Sequence, residues 1–218
     1  MPVSSRPALA RAPRASATAS RRAAARRAQL RRRRTVAGLS GLALIALAAL
    51  ILAPTVKHAV RELELPLRHE DIIRQQAAAK HLDPALIAAV IYAESKFQPR
   101  TSQAGAEGLM QLLPSTAEFL ARRSGGTAFV ASDLATPQVN IAYGSYYLRY
   151  LLDRYGHHLV PAIAAYNAGA TNVDRWMRGG RDLAVSAIPF AETRAYVTRV
   201  LDARDRYRRR YPKELGIR

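Results

Sequence analysis

Cysteine is absent from the 218-residue chain, which excludes disulfides, Cys-ligated zinc, iron–sulfur clusters and a thiol nucleophile. That absence leaves an extracellular home open, because a domain of this length can stand without covalent staples. Acidic residues are missing from residues 1–34, which carry 11 Arg, whereas residues 35–218 hold 23 basic and 16 acidic side chains. The formal charge of +18 therefore divides into +11 and +7. A nucleic-acid binder basic over its whole surface would not place most of its charge in one tail, so no nucleic-acid partner is expected. The five histidines, at 58, 69, 81, 157 and 158, show no metal-ligand spacing joined to acids, and no metal is expected. Period-2 strand patterns are also missing.

What is present divides into a tail, an apolar segment and a globular part. Residues 1–34 are almost entirely Ala, Arg, Ser and Pro, a composition that cannot bury enough surface to offset its ordering entropy. Val36 to Ala53 follow without a charge, about 27 Å as a helix against roughly 30 Å of hydrocarbon. Arg31–Arg34 precede it directly, and the positive-inside rule holds that flank in the cytoplasm. The expectation is a transmembrane signal-anchor helix over 35–54, a stalk over 55–66 and a globular domain outside the membrane. Three other readings compete: a buried core helix, a signal peptide cleaved near Ala46-Leu47-Ala48, and a twin-arginine signal at Arg33-Arg34. The long tail ahead of the segment argues against cleavage, and both the anchored and the cleaved versions export the domain.

From Leu67 to Tyr207 the pattern is helical, and the expected class is all-α. A helix is expected over Leu67 to Lys80. Asp83-Pro84 then supplies an N-cap and a proline at the first helical position. Leu86, Ile87, Val90, Ile91 and Glu94 fall on one stripe at 3.6 spacing, and Pro99 ends the run. Short helices are expected at Leu109–Leu112 and from Pro114 to Ala121, with loop over Arg122–Asp133. Pro137 to Arg154 reads as a long helix with Ile141, Tyr147, Leu148, Leu151 and Leu152 inward. Helices at Val160–Asn167, Thr171–Met177 and Phe190–Tyr207 follow, then a basic tail over 208–218. Seven basic and two acidic residues between Arg199 and Lys213 suit a surface resting on anionic lipid or wall polymer, or equally a solvated helix face.

Glu94 stands out, because a carboxylate on an apolar stripe faces a core or a cleft floor. Burial and the negative end of the helix dipole both disfavour the anion, and an acid neutral near pH 7 suits a general acid. The competing reading is a glutamate at a frayed helix end with its side chain in solvent. Three further segments carry polar groups at turns: Gly105-Ala106-Glu107-Gly108-Leu109-Met110-Gln111, Ala165-Tyr166-Asn167-Ala168-Gly169, and Ile188-Pro189-Phe190-Ala191-Glu192-Thr193-Arg194-Ala195-Tyr196-Val197. Taken singly, the glycines serve turns, Tyr166 fills a core, and Glu192 complements a helix dipole.

Together these segments resemble a known family. Glu94-Ser95 with Phe97 and Pro99, then Gly108 to Ala117, is similar to the catalytic domain of soluble lytic transglycosylases, in the goose-lysozyme-like superfamily. Asn140-Ile141 with Gly144 and Tyr147-Leu148, the AYNAG run and the IPFAETRAYV run resemble its later motifs in order, over roughly Leu67 to Tyr207. The resemblance implies a lysozyme-like helical fold with a cleft for a peptidoglycan strand, and no cofactor. It implies cleavage of the β-1,4 bond between N-acetylmuramic acid and N-acetylglucosamine, ending in a 1,6-anhydro sugar. Glu94 would be the acid and then the base, and Ser95 would orient the reacting groups. Gln111 and Tyr166 would line the cleft, while Asn167 and Glu192 would hold the site and contact the sugar. Leu113 stands where relatives often carry Met, both being apolar walls. Wall-synthesis proteins are the partners such a placement would offer. A hydrolase of the goose-lysozyme kind, a glycan-binding module without activity, and an Arg tail contacting nucleic acid or a membrane-associated partner remain as alternatives.

Overall fold

The computed structural model describes residues 47, 49–51, 53, 65–125, 130–178 and 182–217. The chain divides into two units, Met1–Ala59 and Val60–Arg218. In the first, the described residues 47, 49–51 and 53 are helical. The expected tail, and most of the expected anchor and stalk, lie outside the described residues. Among those described, no helix is long and apolar enough to cross a membrane.

The second unit is mostly helical, as expected. Its elements are α1 (Glu70–Lys80), α2 (Pro84–Ser95), α3 (Pro114–Ser124), α4 (Pro137–Arg154), α5 (Leu159–Ala168), α6 (Ala170–Trp176) and α7 (Ala191–Arg210). Short 3-10 turns at Ala131–Ala135 and Val185–Ala187 lead into α4 and α7. Asp83 caps α2 as its sequence suggests, accepting a hydrogen bond from Ala85 N at 3.0 Å ahead of Pro84. Its other oxygen accepts from Arg204 Nε at 2.7 Å and lies 3.2 Å from Arg208, so the start of α2 is pinned to the last turns of α7.

α2 is buried all round rather than on a single stripe. Ala85 through Ile91 are at most 1% exposed, sheltered by the basic, solvent-facing α7 and by α1. Each large side chain there contributes roughly 1.5–3 kcal/mol by leaving water. Ile141, Leu148, Leu151 and Leu152 of α4 are buried as expected, with Tyr147 half-buried against the same core. α7 runs three residues beyond the expected Tyr207, and Leu215 past its end is buried.

Three local expectations need correction. The fold is not purely helical: β1 (Arg100–Thr101) and β2 (Glu107–Gly108) pair antiparallel, with Glu107 also bridging Leu112. Two residues are too few to show a period. The expected short helix at Leu109–Leu112 is instead a turn, in which Gln111 takes a left-handed φ of 49°. The loop expected over Arg122–Asp133 is shortened at both ends, because α3 extends to Ser124 and a 3-10 turn holds Ala131–Ala135.

Candidate active site

The turn after β2 is fixed from three sides. Asn140 of α4, fully buried, donates through Nδ2 to Glu107 O at 2.8 Å and Leu134 O at 3.0 Å, and accepts from Met110 N at 2.7 Å. Tyr166 of α5 donates its hydroxyl to Met110 O at 3.0 Å. Ser95, at the end of α2, donates to Leu109 O at 2.7 Å. Glycine is required at two points of this contact. A Cβ on Gly108 would stand 2.2 Å from Asn140 Nδ2, and one on Gly144 would stand 2.4 Å from Met110 Sδ. Gly105, by contrast, meets nothing and serves its turn through a φ of 77°.

Against this turn lies an open cleft of ≈ 520 Å³. Glu94, Gln111, Leu113, Tyr166, Asn167 and Glu192 all line it, so six of the seven residues expected from the sequence come together. Ser95 does not line the cleft; it is buried, and its hydroxyl ties α2 to the turn.

Glu94 is half-buried near the end of α2. Loss of water pushes its carboxyl up from 4.5 to about 7, against a hydrogen bond from Tyr196 and the fields of Arg100 and Arg199, which all act the other way. Tyr196 Oη donates to Glu94 Oε1 at 2.7 Å. Because Oε1 is an acceptor in that bond, the proton of the neutral acid sits on Oε2. Tyr196, buried, and Tyr166, half-buried at the cleft, are themselves pushed well above the ordinary tyrosine range, first by loss of water and then by the Glu94 carboxylate. Both therefore stay protonated donors.

Around the acid, two amide side chains each have one function engaged. Gln111 Nε2 donates to Arg100 O at 2.7 Å and Gly108 O at 2.8 Å, leaving its carbonyl for a ligand. Asn167 Oδ1 accepts from Thr193 Oγ1 at 2.7 Å, leaving its NH2 group. Glu192 is exposed in the first turn of α7. Tyr166 stacks obliquely on Tyr147 with centroids 5.2 Å apart, and exposed Leu113 adds an apolar wall.

Two important residues were not singled out from the sequence. Tyr196 stands within the last quoted motif, four residues after Glu192 and so on the same helix face, which was the available signal. Asn140 carried the signal of an amide one position before the buried Ile141 on an amphipathic helix.

The geometry defines a helical domain with one carboxyl held near neutrality at an open cleft lined in part by polar side chains. The Transglycosylase SLT domain family matches residues 71–188, more than half of the chain, and the chain belongs to that family. The soluble lytic murein transglycosylase of Escherichia coli K12 is 35% identical over 155 residues, which is 67% of this chain and 24% of that protein. Membrane-bound lytic murein transglycosylase C of Glaesserella parasuis is 29% identical over 167 residues, 65% of this chain and 46% of its own. The fold is shared with lytic transglycosylase Slt of Pseudomonas aeruginosa, solved as an inactive glutamate-to-glutamine mutant, with a TM-score of 0.65 and 33% identity over 72% of this chain and 26% of that one. The chain thus spans about a quarter of the length of the soluble relatives it matches.

Proposed function

We propose that the chain is a lytic transglycosylase of the bacterial cell wall, cleaving the β-1,4 bond between N-acetylmuramic acid and N-acetylglucosamine. The observation that carries this reading is Glu94, poised to titrate near 7 at the cleft with Tyr196 on one oxygen. Neutral Glu94 gives its Oε2 proton to the glycosidic oxygen, the bond from that oxygen to the muramoyl C1 breaks, and the sugar's own N-acetyl group steadies the cationic centre. The resulting carboxylate, stabilised by Tyr196 and by Arg100 and Arg199, takes the proton of the muramoyl 6-hydroxyl as that oxygen attacks C1. The product is a 1,6-anhydro end, Glu94 becomes neutral again, and no water is consumed. Gln111, Tyr166, Asn167 and Leu113 would seat the sugars, and Ser95 would hold the loop that presents them.

Residues 35–54 would anchor the chain in the cytoplasmic membrane, with 1–34 inside, 55–66 as stalk and 67–207 facing the wall. The membrane-bound relatives by name, and the uncharged run after Arg31–Arg34, support that placement. One feature favours a second reading. Glu192 is a second carboxylate on the same cleft, which a hydrolase would use to activate water. Mass spectrometry of the fragments released from purified sacculi separates the two: anhydro products are lighter by one water than reducing-end products. Reducing ends alone would replace the intramolecular attack with hydrolysis, Glu94 remaining the acid.

A further inference from the structure

The basic end of α7 takes no part in the cleft. Residues 206–217 carry five basic side chains and one acid, Glu214. Arg206, Arg209 and Arg210 share one face of the helix at i, i+3 and i+4 spacing. Arg209 and Lys213 are exposed, and neither has a carboxylate partner among the described residues. This end is tied to the first described residues of the second unit. Tyr207 donates its hydroxyl to Pro66 O at 2.5 Å, and Tyr211 donates to Leu65 O at 2.8 Å. Past the helix, Ile217 N donates to Pro212 O at 2.8 Å and Leu215 is buried, which fixes the turn that carries Lys213. Arg68, two residues beyond Pro66, is exposed and also lacks a carboxylate partner among the described residues. Across residues 65–74 and 206–217, seven basic side chains stand against three acids, and one of those acids, Asp71, is paired with Arg74.

We propose that the basic end of α7, with Arg68, is a docking surface for an anionic lipid bilayer, and that it seats the domain with its cleft away from the membrane. The inference deepens the anchored placement and rests on it. Residues 55–64 separate Leu65 from the expected anchor, and ten residues reach at most about 36 Å when fully extended. Covalent connection alone therefore keeps this end within reach of lipid. Opposite charge then acts over the last stretch, since the potential of an anionic bilayer falls off within a Debye length. The first turns of α7 hold Glu192 of the cleft and Tyr196, the partner of Glu94. Tyr196 precedes Arg209 by 13 residues, about 20 Å of helix, so contact at the basic end leaves the cleft open to the wall.

The test reconstitutes the full chain in vesicles of phosphatidylcholine and in vesicles rich in phosphatidylglycerol, then applies a water-soluble amine reagent. Mass spectrometry reads the labelling of Lys213 relative to Lys96, which is exposed past the end of α2 that lies by Tyr196. The ratio cancels domains facing the vesicle interior, where neither lysine is reached. On the anionic vesicles it should fall at least about fivefold, the weight of a single cation at such a surface. Salt at about 1 M, where the screening length is about 3 Å, should restore it, and so should Arg68→Gln/Arg209→Gln. An equal ratio on the two lipids, or protection that the variant keeps in full, overturns the surface and leaves the anchor and the transglycosylase readings standing. Protection by a soluble glycerol-phosphate polymer in place of the anionic vesicles gives this face to a wall polyanion and overturns the lipid. A chain that phosphatidylcholine vesicles do not retain overturns the anchor before any label is added, and the surface that rests on it.

Discussion

A single carboxyl group sets the behaviour of the site at the scale of one residue. Glu94→Gln should fold, bind glycan and lose cleavage by at least about a thousandfold, measured as product released per enzyme, because the amide has no acidic proton to give to the glycosidic oxygen. The same substitution should stabilise the chain in mild alkali. The folded chain binds the Glu94 proton more tightly than the unfolded one, so the stabilising contribution is full below 4.5 and is lost as pH rises through about 7. Removing the titration should raise stability at pH 8 by roughly 1–3 kcal/mol in urea unfolding, whereas at pH 4 the variant gains nothing. For catalysis the sign is the same: the neutral acid is needed first, so activity falls as pH rises past 7. Tyr196→Phe removes a bond that favours the anion, and the falling limb of kcat/KM should move to higher pH. A limb that stays in place would show that Tyr196 does not tune the acid. The stripe at 3.6 spacing made Glu94 legible from the sequence, but its partner lies 102 positions away, and no local pattern connects the two.

Elements differ in how openly their sequences announce them. Asp83-Pro84 and Pro137 mark the starts of α2 and α4 because caps and ring geometry act within one turn of chain. The segment from Arg100 to Leu112 has no such local logic. Its two-residue strands and the left-handed Gln111 exist because Asn140, Tyr166 and Ser95 reach in from three helices and take up its backbone groups. Two glycines in the GAEGLMQ run hinted at close packing, and for Gly108 the neighbour proves to be Asn140 itself. Asn140→Ala would leave Met110 N and Leu134 O without their partner in the interior, while Glu107 O keeps Leu112 N, a loss of about 2–5 kcal/mol. Thermal unfolding should register that loss, and cleavage should drop as well, since Gln111 and Leu113 stand on the released segment. A stable variant with full activity would mean that the turn holds itself.

Considered as a whole molecule, the chain joins a helical domain to an N-terminal quarter whose sequence is basic and then apolar. With residues 35–54 as an anchor, the full chain should sediment with membranes and resist extraction by high salt, while a chain lacking 1–54 should appear in the soluble fraction with its cleavage intact. Release of the full chain by salt alone would reduce residues 1–54 to a surface contact. One feature of the domain reaches further than its place in the site. The two peptide units that meet at Met110 are held from opposite sides, the N–H of one by Asn140 of α4 and the carbonyl of the next by the Tyr166 hydroxyl of α5. Isotope exchange at that amide requires the wall to part from both helices at once. The Met110 proton should therefore exchange as slowly as those of buried α2, at a rate set by global unfolding rather than by local fraying. A wall that opens only when everything opens is no lid. On the transglycosylase reading, the glycan would enter and leave along the open cleft, and the time between cuts would go to travel of the strand rather than to motion of the protein.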